Sequence, residues 1–82
     1  MRISFIHPPL ELTQEDTFLD GEIEYLVVTG KPATGQASIY FDSGALDFRY
    51  NLYNGKKHGL YEEFCENGDV KYWCHFRHGQ KD

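Results

Sequence analysis

Residues 40–58 of this chain recur as residues 64–82, at a constant offset of 24 positions and without a gap. A third, partial copy lies upstream, at residues 29–35. A fixed period of this length is typical of a stacked structural repeat. Equivalent positions carry the same residue or a close relative: Tyr40 and Phe64, Gly44 and Gly68, Leu46 and Val70, Phe48 and Tyr72, Leu52 and Phe76, Gly55 and Gly79, Lys57 and Lys81.

Each full copy contains a run in which every second residue is apolar, at 46–53 and at 70–77. A period of two predicts a half-buried β-strand rather than a helix. Pairs ending in glycine separate the runs, and Asn-Gly is a strong hairpin signal because both residues tolerate positive φ. The sequence therefore predicts an all-β protein, a single open antiparallel sheet of tandem hairpins. The predicted strands are 21–28, 36–41, 45–53, 60–65 and 69–77, with a sixth at 2–7.

The first 20 residues do not follow the repeat, so we divide the chain into residues 1–20 and a repeat sheet at 21–82. An array of repeats needs its edge strands covered to avoid edge-to-edge association. Residues 1–20 are therefore predicted to be a cap on the first strand or an arm that contacts a partner. Within this segment, Thr13 and Asp16 fit the ends of one helical turn.

The glycine and aromatic spacing resembles the MORN repeat, in the variant found in YwqK-type bacterial antitoxin proteins. The resemblance covers residues 25–82, and one departure from the family pattern is Cys65, where the family has a second aromatic residue. The first copy carries it on Gly30, Lys31, Thr34, Gly35, Tyr40, Phe41, Gly44 and Leu46, and the second on Gly55, Lys56, His58, Gly59, Phe64, Gly68 and Val70.

The resemblance implies hairpins of the MORN type in an open sheet and a binding role without catalysis. With the short array, it leads us to expect a non-catalytic protein-binding module. We expect a small antitoxin or immunity protein, or a phage-type inhibitor in anti-defence, that occludes a larger toxin, effector or defence enzyme. The alternatives are a structural element that self-associates as a homodimer through the C-terminal edge strand 69–77, and a protein that binds anionic lipid surfaces.

The formal charge of −5 lies entirely in the N-terminal third. Residues 1–28 hold one base and six acids (1 − 6 = −5), and residues 29–82 hold seven of each (7 − 7 = 0). Either these acids only solvate the surface, or an acidic face that includes Glu22 and Glu24 steers a basic partner. The neutral remainder disfavours direct nucleic-acid binding and binding to a membrane surface.

Polar and aromatic residues form a second candidate surface on the late strands, on the side of each strand that points away from the apolar residues. Arg49 and Trp73 occupy equivalent positions in the two copies, as do Tyr53 and Arg77. Either this is a solvated face in which arginine stems cover rings, or it binds a partner, because exposed Trp, Tyr and Arg anchor interfaces. The candidate residues are Arg49, Tyr53, Lys71, Trp73, His75 and Arg77.

No catalytic, cofactor or metal site is predicted. Cys74 and His75 are adjacent in a strand and point to opposite faces, so they cannot bind one metal ion together. No nucleophile turn or phosphate-binding glycine motif is present. If Asn67-Gly68 forms a two-residue loop, Cys65 faces Val70 and Cys74 faces Tyr61 across the hairpin. In that register the two cysteines stand too far apart for a disulfide, which predicts free thiols and a cytoplasmic protein.

Overall fold

The computed structural model describes residues 11–82, which fold as two β-sheets without any helix in this range. Within it, therefore, no helix is long and apolar enough to cross a membrane. The predicted strand at 2–7 lies outside the described residues. The strands are β1 (Glu11–Thr13), β2 (Thr17–Asp20), β3 (Ile23–Leu26), β4 (Gly35–Tyr40), β5 (Leu46–Tyr53), β6 (Lys56–Phe64), β7 (Val70–Arg77) and β8 (Gln80–Lys81).

The main sheet has six strands in the order β1-β4-β5-β6-β7-β8 and does not close on itself. This confirms the predicted all-β class and the open sheet of hairpins. The pairs from β4 to β8 are antiparallel, whereas β1 joins β4 in parallel. The buried side chain of Leu12 explains this extra strand, because it lies in the core cluster with Ala37 of β4.

The β4–β5 and β6–β7 hairpins reproduce each other at the 24-residue offset. Each turns through a glycine of positive φ, 95° at Gly44 and 96° at Gly68. The same backbone bonds close both loops, from Phe41 N–H to Ala45 O and from Cys65 N–H to Asp69 O, each 2.8 Å. Both hairpins shift register at one equivalent place, between Ile39 and Tyr40 and between Glu63 and Phe64.

The turns between and after these hairpins also match. Asn54-Gly55 has φ values of 50° and 83°, and His78-Gly79 has 50° and 88°, the two successive positive angles of a two-residue type I′ turn. The loop at Asn67-Gly68 is longer than the two residues we expected. Phe64, not Cys65, therefore pairs with Val70, while Cys74 pairs with Tyr61 as predicted. Both cysteines are free thiols.

The strand predicted at 21–28 is shorter and does not join the main sheet, which corrects the expectation of one single sheet. β3 instead pairs with β2, and this small hairpin packs over one face of β4 and β5. Glu24 ties it to the main sheet, because its N–H donates to Gly55 O at 2.8 Å and its carbonyl accepts from Ala33 N–H at 2.9 Å. The core under it comprises Leu12, Ala33, Ala37, Tyr50 and Leu52, with Leu26, Ile39, Phe48 and Tyr61 packed at its margin.

The predicted boundary between residues 20 and 21 falls inside the β2–β3 hairpin. β1 lies on the edge of β4, and β2 belongs to the covering layer, so residues 11–20 are built into the fold. The predicted helical turn at 13–16 is wrong. Asp16 N–H does donate to Thr13 O at 3.0 Å, but the turn passes directly into β2, where pairing with β3 fixes an extended backbone.

Candidate binding face

One face of the main sheet lies opposite the β2–β3 hairpin, and we call it the outer face. Side chains alternate along a strand, so Arg49 points to the outer face because Tyr50 points to the core. The strand register places Ser38, Arg49, Glu62 and Trp73 in one row across β4 to β7.

The middle of this row is held by an ion pair. Arg49 donates to Glu62 Oε1 from Nη2 at 2.9 Å and from Nε at 3.1 Å. Its guanidinium also lies 5.5 Å from the ring centroid of Phe64. Charge-assisted bonds and cation–π contact both favour a single side-chain position. Arg49 is therefore an ordered, half-exposed part of the face rather than a freely moving side chain.

Trp73, at the end of the row, is 59% exposed. Its ring meets the ring of His75 edge-on, at a centroid distance of 5.7 Å. Most of the indole surface nevertheless stays in contact with water. Large exposed aromatic side chains with an ordered neighbour are the residue type that anchors protein interfaces.

A second aromatic group lies near the ends of β5 and β7. Tyr53 is 55% exposed and lies 6.3 Å from the ring of His58, which lies 5.0 Å from the ring of His78. Beside it, Arg77 pairs with Asp82 at 3.0 Å with both side chains exposed. Such an exposed ion pair adds little stability, so Arg77 remains available to another partner.

The structure brings six of the eight predicted residues onto two strands of the main sheet, β5 and β7, separated by β6. Trp73, His75 and Arg77 are every second residue of β7, so all three lie on the outer face. Lys71 lies at the bulge near the start of this strand. The two remaining residues, Glu22 and Glu24, lie in the covering layer. Glu22 is exposed at the tip of the β2–β3 hairpin, away from the outer face.

Glu24 is not part of an exposed acidic face, so that prediction is wrong. Its side chain is 8% exposed and accepts hydrogen bonds from the hydroxyls of Tyr50 at 3.0 Å and Thr17 at 2.8 Å. Side-chain alternation correctly placed Glu24 and Leu26 on the same side of the strand, but we expected that side to face solvent. In the structure it faces the main sheet, because the β2–β3 hairpin packs onto Tyr50. Burial, with the nearby Glu24 carboxylate, raises the pKa of Tyr50 above its ordinary value.

A second feature, an aromatic groove on the inner face, was not foreseen from the sequence. Tyr61 lies at its centre, with ring centroids 5.5 Å from Phe76 and 6.0 Å from Tyr50. The space beside it measures about 280 Å³ and is lined by Ile39, Phe48, Tyr50, Lys57 and Tyr61. Partial burial and a 2.7 Å hydrogen bond to Glu63 raise the pKa of Tyr61.

The sequence did carry a signal for this groove. The repeat offset puts Tyr61 where the first copy has Ala37, so the second hairpin carries a large ring where the first leaves room for the covering layer. Lys57 lies 4.9 Å from the ring centroid of Tyr50 at the border between the two regions.

Residues 11–82 hold no group of three or more His, Cys, Asp or Glu side chains placed to bind a metal ion. Comparisons with protein-family models, with curated proteins and with solved structures found no match to this chain. The candidate site therefore rests on the geometry of the outer face.

Proposed function

We propose that this protein is a non-catalytic binding module of the MORN-repeat type that captures a partner protein on its outer face. The observation that carries the proposal is the exposed indole of Trp73, which stands in register with the ordered Arg49–Glu62 pair. Tyr53, His75 and Arg77 extend the same face with aromatic and basic groups.

The mechanism is occlusion by a rigid surface. Three antiparallel strands, β5 to β7, fix the backbone under the face, so little backbone freedom is lost on binding and that part of the entropic cost of association is small. A partner that buries the indole in a pocket gains the large apolar contribution that centres of interfaces show. This role fits an antitoxin, immunity protein or phage-type inhibitor acting in the cytoplasm on a larger toxin, effector or defence enzyme.

The test is affinity capture with the tagged protein as bait, followed by titration of the captured protein in purified form. We expect one stoichiometric partner, and we expect Trp73→Ala to weaken its binding about 30-fold or more, the effect of losing a central aromatic anchor. Val28→Ala is the matched control, because Val28 is 90% exposed in the loop before β4, outside the outer face.

Both variants must first show the wild-type melting temperature. Equal binding by wild type and Trp73→Ala would overturn the outer face as the interface. A loss of binding in Val28→Ala with retention in Trp73→Ala would move the interface to the covering layer.

A further inference from the structure

Asparagine is followed by glycine at two places in this chain, Asn54-Gly55 and Asn67-Gly68, and both pairs lie in turns. Asparagine is thermally labile, because the backbone nitrogen of the next residue can attack its side-chain amide carbon. Glycine hinders this attack least, since it has no Cβ and the widest choice of backbone angles. The surroundings of each pair therefore decide whether it reacts in the folded protein.

The Asn54-Gly55 turn is fixed between the main sheet and the covering layer. Gly55 N–H donates to Ala33 O at 2.7 Å, and Gly55 O accepts from Glu24 N–H at 2.8 Å. A Cβ on Gly55 would overlap Ile23 Cγ2, so this glycine has no room to move toward β3. Before Gly55 N can attack, it must leave its hydrogen bond and turn toward the Asn54 side chain, and the packed layer opposes that movement.

The Asn67-Gly68 loop is open by comparison. In the part of the chain that the structure describes, no atom beyond the chain neighbours lies within 4 Å of a Cβ placed on Gly68. Gly68 N–H donates to Cys65 O at 2.9 Å, which is a bond inside the same loop. Residues 65–69 are all exposed. Local opening of such a loop costs little free energy, so Gly68 N can be released for attack.

The Asn67 side chain is held in an orientation that favours the reaction. Its Oδ1 accepts a hydrogen bond from Asp69 N–H at 2.9 Å, and its Nδ2 donates to Asp69 Oδ2 at 3.2 Å. Negative charge collects on Oδ1 as the amide carbon becomes tetrahedral. A backbone N–H at about 2.7–3.1 Å from such an oxygen stabilises that charge, and the Asp69 N–H lies within this range.

We propose that Asn67 is a site of spontaneous deamidation and isoaspartate formation in the folded protein, and that folding protects Asn54. In the first step Gly68 N bonds to Asn67 Cγ and releases its proton, the Cγ–Nδ2 bond breaks, and Nδ2 leaves with that proton as ammonia. Water then opens the cyclic imide. Opening at Cγ gives aspartate, and opening at the backbone carbonyl carbon gives isoaspartate. Water is the only co-reactant, and nothing is oxidised or reduced.

Either product changes the loop. A new carboxylate appears near that of Asp69, which now accepts a hydrogen bond from the Asn67 amide. Isoaspartate also lengthens the backbone by one carbon, which breaks the loop bond that Gly68 N–H donates. The loop adjoins the paired residues Phe64 and Val70, so the amide signals of this pair report the modification.

The test measures each asparagine separately in the full-length protein. Purified protein is incubated at mildly alkaline pH and physiological temperature, with and without denaturing urea. Samples taken over time are digested at mildly acidic pH, where the reaction is slow. Mass spectrometry quantifies conversion at Asn54 and at Asn67, and electron-transfer fragmentation distinguishes isoaspartate from aspartate.

In the folded protein we expect Asn67 to convert at least about tenfold faster than Asn54. In urea we expect the two rates to agree within about threefold, because each asparagine then precedes glycine in an unfolded chain. Folding should slow Asn54 at least about thirtyfold and leave Asn67 within about threefold of its rate in urea. Equal rates in the folded protein, or equal slowing of both residues by folding, would overturn the proposal.

The first hairpin supplies a matched control, because its loop at Ser43-Gly44 has the same shape. Gly44 N–H donates to Phe41 O at 2.9 Å, and Ala45 N–H donates to Ser43 Oγ at 3.4 Å, the counterpart of the bond to Asn67 Oδ1. Among residues 11–82, no atom lies within 4 Å of a Cβ on Gly44 apart from its chain neighbours. Ser43→Asn is expected to create a second reactive site, with a rate within about threefold of that of Asn67.

Asn67→Ser, the reverse change, should abolish conversion in the second loop. A second set of amide signals for Phe64 and Val70 should accumulate with time in wild type and be absent in Asn67→Ser. Circular dichroism checks that both variants fold. An unreactive Ser43→Asn beside a reactive Asn67 would overturn the loop geometry as the cause. The result is independent of the proposed function, which Trp73→Ala tests through partner capture.

Discussion

The two hairpins of the main sheet have nearly the same local structure and very different surroundings. β4–β5 lies under the β2–β3 layer, where Ala37, Leu52 and Tyr50 are 2%, 4% and 9% exposed. In β6–β7 the inner face carries Tyr72 at 39% and the outer face carries Trp73 at 59%. Equivalent positions are thus buried in the first hairpin and more exposed to solvent in the second. The difference in exposure arises because the β2–β3 hairpin covers β4 and β5 but not β6 and β7.

The largest expected effect tests that layer at two equivalent glycines. A Cβ at Gly55 would overlap Ile23 Cγ2 and lie 2.8 Å from Glu24 O, whereas at Gly79 its nearest neighbour is Lys56, at 3.7 Å. Both glycines have positive φ, so each Ala variant bears the same backbone strain of about 1–2 kcal/mol. Gly55→Ala adds overpacking of roughly 2–3 kcal/mol.

We therefore expect Gly55→Ala to lower the free energy of unfolding by about 3–5 kcal/mol in urea denaturation and Gly79→Ala by about 1–2 kcal/mol. Gly44→Ala is the control, because its φ is 95° and no atom lies within 4 Å of the added Cβ. Equal losses of unfolding free energy in Gly55→Ala and Gly79→Ala would mean that β3 does not pack tightly against the Asn54-Gly55 turn.

The next largest effect compares equivalent apolar residues on the inner face. Leu52 is 4% exposed in the core, and Phe76 is its partly buried equivalent in β7. Leu52→Ala is expected to cost about 3 kcal/mol through lost burial and a cavity. Phe76→Ala should cost less than half of that, although phenylalanine is the larger side chain. A greater loss at Phe76 in thermal denaturation would show that the second hairpin also has a covered core.

A third comparison concerns the two tyrosine hydroxyls of the inner face. Tyr50→Phe removes a donor from the buried Glu24 carboxylate, with an expected cost of about 1–3 kcal/mol. Tyr61→Phe removes a bond to partly buried Glu63, with an expected cost of about 0.5–1 kcal/mol. Chemical denaturation at neutral pH measures both losses, and the reverse order would contradict the burial difference.

The same tyrosines are expected to make the free energy of unfolding depend on pH in the alkaline range. Burial raises the pKa of Tyr50 and of Tyr61 in the folded protein above the unfolded value of about 10. Their contribution is therefore fully present below about pH 10 and decreases as pH rises beyond it, because the unfolded chain loses these protons first. Tyr50→Phe should flatten the fall in stability above pH 10, and an unchanged slope would count against its burial.

The smallest expected effect concerns a pair of turn bonds that the repeat shares. Asn54 N–H donates to Thr34 Oγ1 at 2.9 Å, and the equivalent His78 N–H donates to His58 Nδ1 at 3.3 Å. Both bonds are exposed, so Thr34→Val and His58→Phe should each cost about 0.5–1 kcal/mol. His58→Thr, which keeps an acceptor, should be closer to wild type than His58→Phe in melting temperature.

Glycine positions and alternating runs predicted the hairpins because these signals act locally. An Asn-Gly pair fixes a two-residue turn at Asn54-Gly55, but the same pair at Asn67-Gly68 closes a longer loop. The difference lies in the register of the flanking strands, which depends on the bulge between Glu63 and Phe64. Local residue preference does not encode that choice.

The candidate face was predictable in part for the same reason. Alternation alone placed Arg49, Tyr53 and Trp73 opposite the apolar residues, and the register then aligned Trp73 with Arg49 through Glu62. The burial of Glu24 was not predictable from the sequence, because the alternating pattern of this strand is equally compatible with a solvent-exposed carboxylate. Only its contact with Tyr50, 26 residues away, decides that it is buried.

The amino-acid sequence by itself determined the strands, their turns and the 24-residue offset between the hairpins, since each follows from φ preferences and side-chain alternation over a few residues. Tertiary structure decided that β2 and β3 stack on the sheet rather than extend it, that β1 joins β4 in parallel, and which copy is covered. These outcomes depend on burial shared between residues distant in sequence, where the gain in buried apolar area exceeds any local preference.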